Sequence, residues 1–169
     1  MIDQGVDDKY WMQQAVMQAA QAAQENEVPV GAVLVLDKQI IGLGFNQTIS
    51  RHDPSAHAEI VALRQGAALL QNYRLLNSTL YVTLEPCLMC VGALLHARIK
   101  RLVYGAPDEK TGAVASVFHL LDGPHNHRIA WEGGCLTDEC RTLLRSFFQA
   151  KRQSSSSSIS PSSLMTDEE

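Results

Sequence analysis

Two short segments of the chain carry one imidazole, two thiols and one carboxylate at spacings that suit a metal centre. The first segment is His57-Ala58-Glu59, and the second begins at Pro86 and contains Cys87 and Cys90. Catalytic zinc sites use three protein ligands and leave the fourth tetrahedral position to water. The pattern therefore predicts a zinc ion bound by the imidazole and both thiols, with the Glu59 carboxylate not needed as a ligand.

Each segment is expected to lie where a strand or loop gives way to the N-terminus of a helix. A helix N-terminus carries unpaired N–H groups and positive partial charge, which lower the pKa of a thiol and favour the thiolate. Cys87 and Cys90 are three residues apart, so both thiols lie on one face of a first helical turn. Glu59 is then placed to take a proton from an activated water and to return it to a leaving amine.

The same residue types also occur in other kinds of site. A lone Cys-x-x-Cys pair would also suit half of a structural zinc site, and only its combination with the upstream His-x-Glu favours catalysis. His125 and His127 are a competing source of imidazole, but no cysteine lies beside them, and a loop is expected. Cys135 and Cys140 are interpreted as small buried hydrophobes. Glu85 is open to either a structural role at a helix start or a role toward a substrate.

The hydrophobic pattern predicts helices alternating with strands, an α/β fold with helices on both faces of one central sheet. The second strand is expected to pair with the first as a hairpin, and the strand-helix-strand step over 79–105 should be a parallel crossover. Thr137 is the predicted N-cap of the last helix. The predicted helices are 8–24, 55–70, 87–96 and 137–151, and the predicted strands are 30–36, 40–45, 79–83, 101–105 and 129–131.

Composition along the chain predicts one folded domain, residues 1–152, and a disordered serine-rich acidic tail, residues 153–169. No stretch approaches the roughly 18–20 apolar residues of a membrane span, and the acidic N-terminus lacks a signal-peptide core. A cytoplasmic protein is therefore expected, with no membrane partner. In that reducing compartment, Cys87 and Cys90 are expected to be metal ligands rather than a disulfide.

Net charge does not decide whether the protein binds nucleic acid. The whole chain has a formal charge of −4. Much of the acidity lies at the two ends, and residues 10–152 carry 13 Lys and Arg against 12 Asp and Glu. A local basic face on the folded part is therefore compatible with the composition, and charge alone neither supports nor excludes RNA.

Five longer strings lie at residues 29–35, 51–60, 72–75, 80–87 and 110–113. They closely resemble the bacterial tRNA-specific adenosine deaminases, zinc enzymes that convert adenosine to inosine at the wobble position of an anticodon. The His-x-Glu and Pro-Cys-x-x-Cys pattern itself is shared by zinc-dependent deaminases in general. The resemblance implies a three-layer α/β/α cytidine-deaminase-like fold with a mixed sheet of about five strands, a homodimer, and a tRNA anticodon stem-loop as partner.

The resemblance also implies roles for particular residues. It assigns one zinc per chain to His57, Cys87 and Cys90. It assigns the proton shuttle of a zinc-activated water to Glu59, and a hydrogen bond to the target base to Asn46. The remaining substrate-binding residues match regions that approach the anticodon stem-loop; they are Asp108, Lys110, Arg145, Phe148, Lys151 and Arg152.

Two alternative functions stay open at this point. The zinc motif is shared with deaminases of free bases or nucleosides of the guanine or cytosine type, so a small-molecule substrate is the first alternative. A non-catalytic, zinc-stabilised binding module is the second. Glu59 argues against the second alternative, because a structural zinc site has no need of that carboxylate.

Overall fold

The computed structural model describes residues 4–157, and within this range the chain alternates helices and strands as predicted. Residues 1–3 and 158–169 lie outside the described range. The helices are α1 (Gln4–Gln24), α2 (Ala58–Leu70), α3 (Leu88–Ala97) and α4 (Thr137–Ser156), with one short 3₁₀ helix at Leu120–Asp122. The strands are β1 (Gly31–Leu36), β2 (Gln39–Phe45), β3 (Thr79–Leu84), β4 (Arg101–Ala106) and β5 (Ala130–Glu132).

The five strands form one mixed sheet in the order β2-β1-β3-β4-β5. Strand β1 runs antiparallel to both β2 and β3, whereas β3, β4 and β5 are parallel. The β1–β2 hairpin turns at Asp37 and Lys38, whose φ angles of 50° and 60° fit a tight turn that matches the twist of the strands. The predicted α/β fold, hairpin and parallel step over 79–105 are confirmed.

Helices cover both faces of the sheet, because neighbouring strand residues point to opposite sides. Val33 and Val103 pack in one core with residues of α1 and α4. Leu34 and Leu102 pack in a second core with residues of α2 and α3. Burial on both faces explains why the central strands β1, β3 and β4 are mostly apolar. The three-layer prediction is confirmed.

Helix α2 lies directly against strand β2, and two glycines permit this close approach. A Cβ atom at Gly42 would overlap the carbonyl oxygen of Ala62, and one at Gly44 would overlap that of Ala58. A larger residue at either position would push the helix away from the sheet. The glycines therefore fix where the N-terminus of α2, with its His-x-Glu segment, lies relative to the end of β2.

Helix α4 differs from the prediction at both ends. The N-cap is Leu136, with φ 53°, and Thr137 is the first helical residue. The N-cap prediction was wrong because the Thr137 hydroxyl donates to the carbonyl of Gly105 in β4 instead, at 3.2 Å. The helix also continues past the predicted end near residue 151 into the serine run, where the hydroxyl groups donate to carbonyls one turn back.

Five residues of the predicted tail lie within the described range. Residues 153–157 are helical or in the turn that ends the helix, and 158–169 lie outside the described residues. The boundary between a domain of residues 1–152 and a disordered tail stays a prediction. None of the helices between residues 4 and 157 is both long and apolar enough to cross a membrane.

Candidate active site

The imidazole of His57 and the thiols of Cys87 and Cys90 converge on one point, although they come from two helix starts. Their potential ligand atoms all lie within 4.8 Å of one another. His57 Nδ1 is 3.6 Å from Cys87 Sγ and 3.5 Å from Cys90 Sγ. Ligands of a tetrahedral zinc, with bonds of about 2.0–2.3 Å, are separated by roughly 3.5 Å, so these three atoms fit one zinc ion.

Residues 7–157 contain no second group of three His, Cys, Asp or Glu side chains arranged in this way. The competing histidines lie elsewhere. His127 Nε2 is 2.7 Å from the carbonyl oxygen of Ile99, and His125 contacts the carbonyl of Leu120. Loop histidines engaged with backbone carbonyls agree with the interpretation of 125–127 as a loop.

His57 and Cys87 occupy the same position in two different helices. Each is the N-cap residue, of α2 and of α3 respectively, with extended backbone and no side-chain capping bond. The helices therefore begin one to three residues later than predicted. A side chain that capped its own helix could not also reach the metal, so both are directed at the shared point. Cys90 follows in the first turn of α3 and is fully buried.

The uncapped start of α2 is stabilised by Asn46 instead. Its side-chain oxygen Oδ1 accepts a hydrogen bond from the backbone N–H of Ala58 at 2.9 Å. This bond satisfies one of the orphan donors of the helix and holds the amide in one orientation. This bond does not use the NH₂ group of Asn46, and a contact of that group with a substrate base stays a prediction.

Glu59 lies in the first turn of α2 and is only 4% exposed. Burial raises the pKa of its carboxyl group, and a hydrogen bond with Cys90 opposes this effect in part. A raised pKa makes a carboxylate a better proton acceptor, and the protonated group can return the proton at a later step. The environment of Glu59 thus suits a proton shuttle.

The pKa values of the two thiols are shifted in opposite directions. A hydrogen bond from Cys90, reinforced by His57, lowers the pKa of the Cys87 thiol to about 4 even though burial acts in the other direction. The same contact with Cys87, together with burial, raises the pKa of Cys90. The contact between the two thiols thus favours a thiolate on Cys87, and both thiols would have to be deprotonated to bind a metal.

Comparisons with known proteins agree with this geometry. The family model described as "Cytidine and deoxycytidylate deaminase zinc-binding region" matches residues 6–106. A tRNA-specific adenosine deaminase from Haemophilus influenzae is 56% identical over 148 residues, which is 86% of each chain. Another from Buchnera aphidicola is 50% identical, over 86% of this chain and 91% of the relative. The chain belongs to the tRNA-specific adenosine deaminase family.

Solved structures place this family member in the same fold. A structure from a study of A-to-I editing by tRNA:A34 deaminases at the wobble position of transfer RNA matches with a TM-score of 0.78 and 42% identity. It covers 80% of this chain and 99% of the other. A guanine deaminase from Nitrosomonas europaea matches with a TM-score of 0.73 at 22% identity, over 82% and 83% of the two chains, and this likeness shows the fold alone.

Most of the residues predicted to contact RNA share one groove of the deaminase. The groove lies between the loop after β4 and one face of α4, and Phe148 in it is 45% exposed. Its lining includes Lys110, Arg145, Phe148, Lys151 and Arg152. Asp108 lines a neighbouring groove with Lys110 and Arg145.

Asp108 has a local structural contact within the loop after β4. Its carboxylate accepts hydrogen bonds from the backbone N–H groups of Lys110 and Thr111, at 3.0 and 3.1 Å, and from the Thr111 hydroxyl at 2.8 Å. The turn that presents Lys110 is therefore shaped by Asp108. A direct contact of Asp108 with RNA stays a prediction.

Two buried carboxylates near the site accept hydrogen bonds from neighbouring loops. Glu27 accepts hydrogen bonds from the N–H groups of Ile49 and Ser50, at 3.3 and 2.7 Å, in the loop that follows Asn46. No local sequence pattern pointed to Glu27. Glu85 accepts from the loop after β4, and although burial raises its pKa, hydrogen bonds led by that from Ala115 lower it overall.

Proposed function

We propose that this protein deaminates adenosine to inosine hydrolytically at the wobble position of a tRNA anticodon, with one zinc ion per chain. The observation that carries the proposal is the His57, Cys87 and Cys90 group, with the buried carboxyl group of Glu59 in the first turn of the helix that His57 begins. The names of the relatives and the groove of basic side chains support RNA as the substrate.

The residues of the site divide the chemistry between them. His57, Cys87 and Cys90 would hold the zinc, which when bound supplies Lewis-acid activation of water. Glu59 takes a proton from the water that attacks C6 of adenine. It gives this proton to the adjacent ring nitrogen, then takes the proton of the hydroxyl group now on C6 and gives it to the departing amine, so that adenosine and water become inosine and ammonia. Asn46 donates a hydrogen bond to the base from its NH₂ group.

An unpaired loop base is a better substrate than a free nucleoside for this arrangement. Reaction at C6 requires the base to be out of its stack, and an anticodon loop offers bases that are cheap to extrude. The site itself offers few contacts to a lone nucleoside. Lys110, Arg145 and Lys151 in the groove can add phosphate contacts, and Phe148 can stack on a neighbouring base.

We expect an anticodon stem-loop RNA to be deaminated far faster, as kcat/KM, than free adenosine, guanine or cytosine. The comparison requires only purified zinc-loaded protein and chromatographic detection of the deaminated products. Turnover of guanine or cytosine that matched or exceeded turnover of the RNA would identify a small-molecule deaminase instead. Binding of the RNA without conversion of any substrate would identify a non-catalytic module.

A second expectation concerns the basic end of the groove. Replacing Lys151 and Arg152 together with alanine should weaken stem-loop binding and leave the zinc content unchanged. Each lost phosphate contact should also reduce the slope of log affinity against log salt by about 0.7, the value typical of single strands. Lys100→Ala is the matched control, because this exposed lysine lies at the opposite end of β4. An unchanged salt slope in the double variant would exclude these side chains as phosphate ligands.

The proposal includes a homodimer and a cytoplasmic location. Leu88 and Met89 are exposed apolar residues in the same helical turn as the two cysteines, and Ile49 and Tyr73 are exposed elsewhere. Exposed apolar side chains next to a reactive centre favour a surface that a second subunit covers. A tRNA substrate supports action in the cytoplasm.

A further inference from the structure

Glu85 lies directly after β3 and is only 2% exposed. Its carboxylate points into the loop after β4, and both oxygens are engaged there. Oε1 accepts from the backbone N–H of Asp108 at 3.2 Å and from the hydroxyl of Ser116. Oε2 accepts from the N–H groups of Val114, Ala115 and Ser116 at 3.1, 3.0 and 3.1 Å. One side chain thus binds both ends of a nine-residue loop, 108–116.

The same loop is attached to the next residue of the chain. The carbonyl oxygen of Pro86 accepts a hydrogen bond from the N–H of Ala113 at 2.8 Å. Gly112 lies against the carboxyl group so closely that any side chain there would overlap it. The loop is therefore folded around Glu85 and Pro86, and the residue that follows them is the metal-site thiol Cys87.

The charge of Glu85 is balanced by these donors. Within residues 7–157, no Lys, Arg or His forms an ion pair with it. A buried carboxylate without a cation needs its hydrogen bonds, and glutamine is not an equivalent replacement. The amide has one accepting oxygen, and its NH₂ group would face N–H donors on the other side.

We propose that Glu85 is a positioning residue, which fixes the loop bearing Lys110 relative to the helix start bearing Cys87. Lys110 lines the groove assigned to RNA, so this connection sets the distance between the bound RNA backbone and the metal site. The inference rests on the proposed function. It adds that Glu85 acts through Lys110 and not by touching the substrate.

A double-mutant cycle tests this connection with stem-loop RNA as substrate. Glu85→Gln should raise KM about tenfold, while kcat changes less than about threefold, because the loop is misplaced but the metal ligands are retained. Lys110→Ala should raise KM in the wild-type background and have almost no further effect in the Glu85→Gln background. Arg152→Ala is the matched control, since it lies on α4, and its effect should be the same in both backgrounds.

Two further variants serve as controls for misfolding. Ser116→Ala removes only the hydroxyl donor to Glu85 and should reduce the effect of Lys110→Ala partially, so it replaces Glu85→Gln if that variant does not fold. Glu25→Gln changes an exposed glutamate and should alter neither KM nor kcat. Zinc content and melting temperature are measured for every variant.

Two results would overturn the inference. In the first, Lys110→Ala has the same effect with and without the Glu85 or Ser116 substitution. In the second, Glu85→Gln lowers kcat and zinc content at an unchanged KM, which would make Glu85 a support of the metal site alone. The proposed function fails separately, if the wild-type protein makes no inosine from the stem-loop.

Discussion

Glu59→Gln should retain its zinc and its fold but lose almost all turnover of the RNA substrate. Glutamine has the size and shape of glutamate but cannot carry a proton between water, ring nitrogen and leaving amine. General acid–base groups contribute about 10²–10⁴-fold to rate, and Glu59 serves at more than one step, so kcat should fall by at least the upper part of that range. Glu59→Ala should have the same effect on kcat.

The same substitution, Glu59→Gln, should not lower the stability of the metal-free protein. Burial raises the pKa of Glu59 in the folded protein above its unfolded value. Ionisation therefore favours the unfolded chain, and this group lowers the free energy of unfolding as pH rises from its unfolded pKa through its higher folded pKa. Metal-free Glu59→Gln should thus melt at the same temperature as metal-free wild type, or higher, at neutral pH.

Near-normal kcat in the zinc-loaded variant would remove Glu59 from the mechanism.

Cys90→Ala should abolish stoichiometric zinc binding and lower the melting temperature. Cys90 is fully buried and supplies one of three ligand atoms at the shared point. Metal ligation is linked to folding, so the loss of one ligand reduces both metal affinity and stability. Wild-type protein should contain one zinc per chain by elemental analysis, and the variant should contain almost none after dialysis.

Cys140→Ala provides the control for this change. Cys140 is also a buried cysteine, but it packs in the core between the sheet and the layer of α1 and α4. Its replacement should cost some stability through lost packing and leave the zinc content at one per chain. Full zinc occupancy in Cys90→Ala, or zinc loss in Cys140→Ala, would show that the ligand set is wrong.

The features that the sequence predicts correctly are those that depend on short, local patterns of residues. The mostly apolar sequences of β1, β3 and β4 reveal these strands within a residue or so, because burial on both faces leaves few polar interruptions. The sequence signal for the metal-binding residues is also local. Two short motifs at helix starts sufficed to predict that His57, Cys87 and Cys90 converge, since their spacing matches what one ion requires.

Sequence reasoning failed where a polar side chain is satisfied by a distant partner. Asp8 lies in the acidic N-terminal end of the chain, yet it is buried and accepts two hydrogen bonds of 2.7 Å from Arg101. It also accepts from the Tyr81 hydroxyl at 2.9 Å. These partners are 73 and 93 residues away along the chain, and no local pattern encodes such a pairing.

The loops around the site show the same limit. Glu27 and Glu85 each hold a loop through backbone N–H groups, which every residue except proline possesses. Because backbone donors leave no trace in side-chain identity, the sequence could not distinguish a structural Glu85 from a substrate-binding one. Only the folded path of the 108–116 loop reveals its contacts.

The central claim is tested most directly by locating inosine within an RNA after incubation with the zinc-loaded protein. Two stem-loop RNAs are needed, one with adenine at the first anticodon position and one with that adenine moved by one position in the same loop. We predict inosine at the wobble position of the first RNA and far less in the second, with Glu59→Gln protein forming none. Equal conversion at both positions, or no inosine in either RNA, would contradict the account.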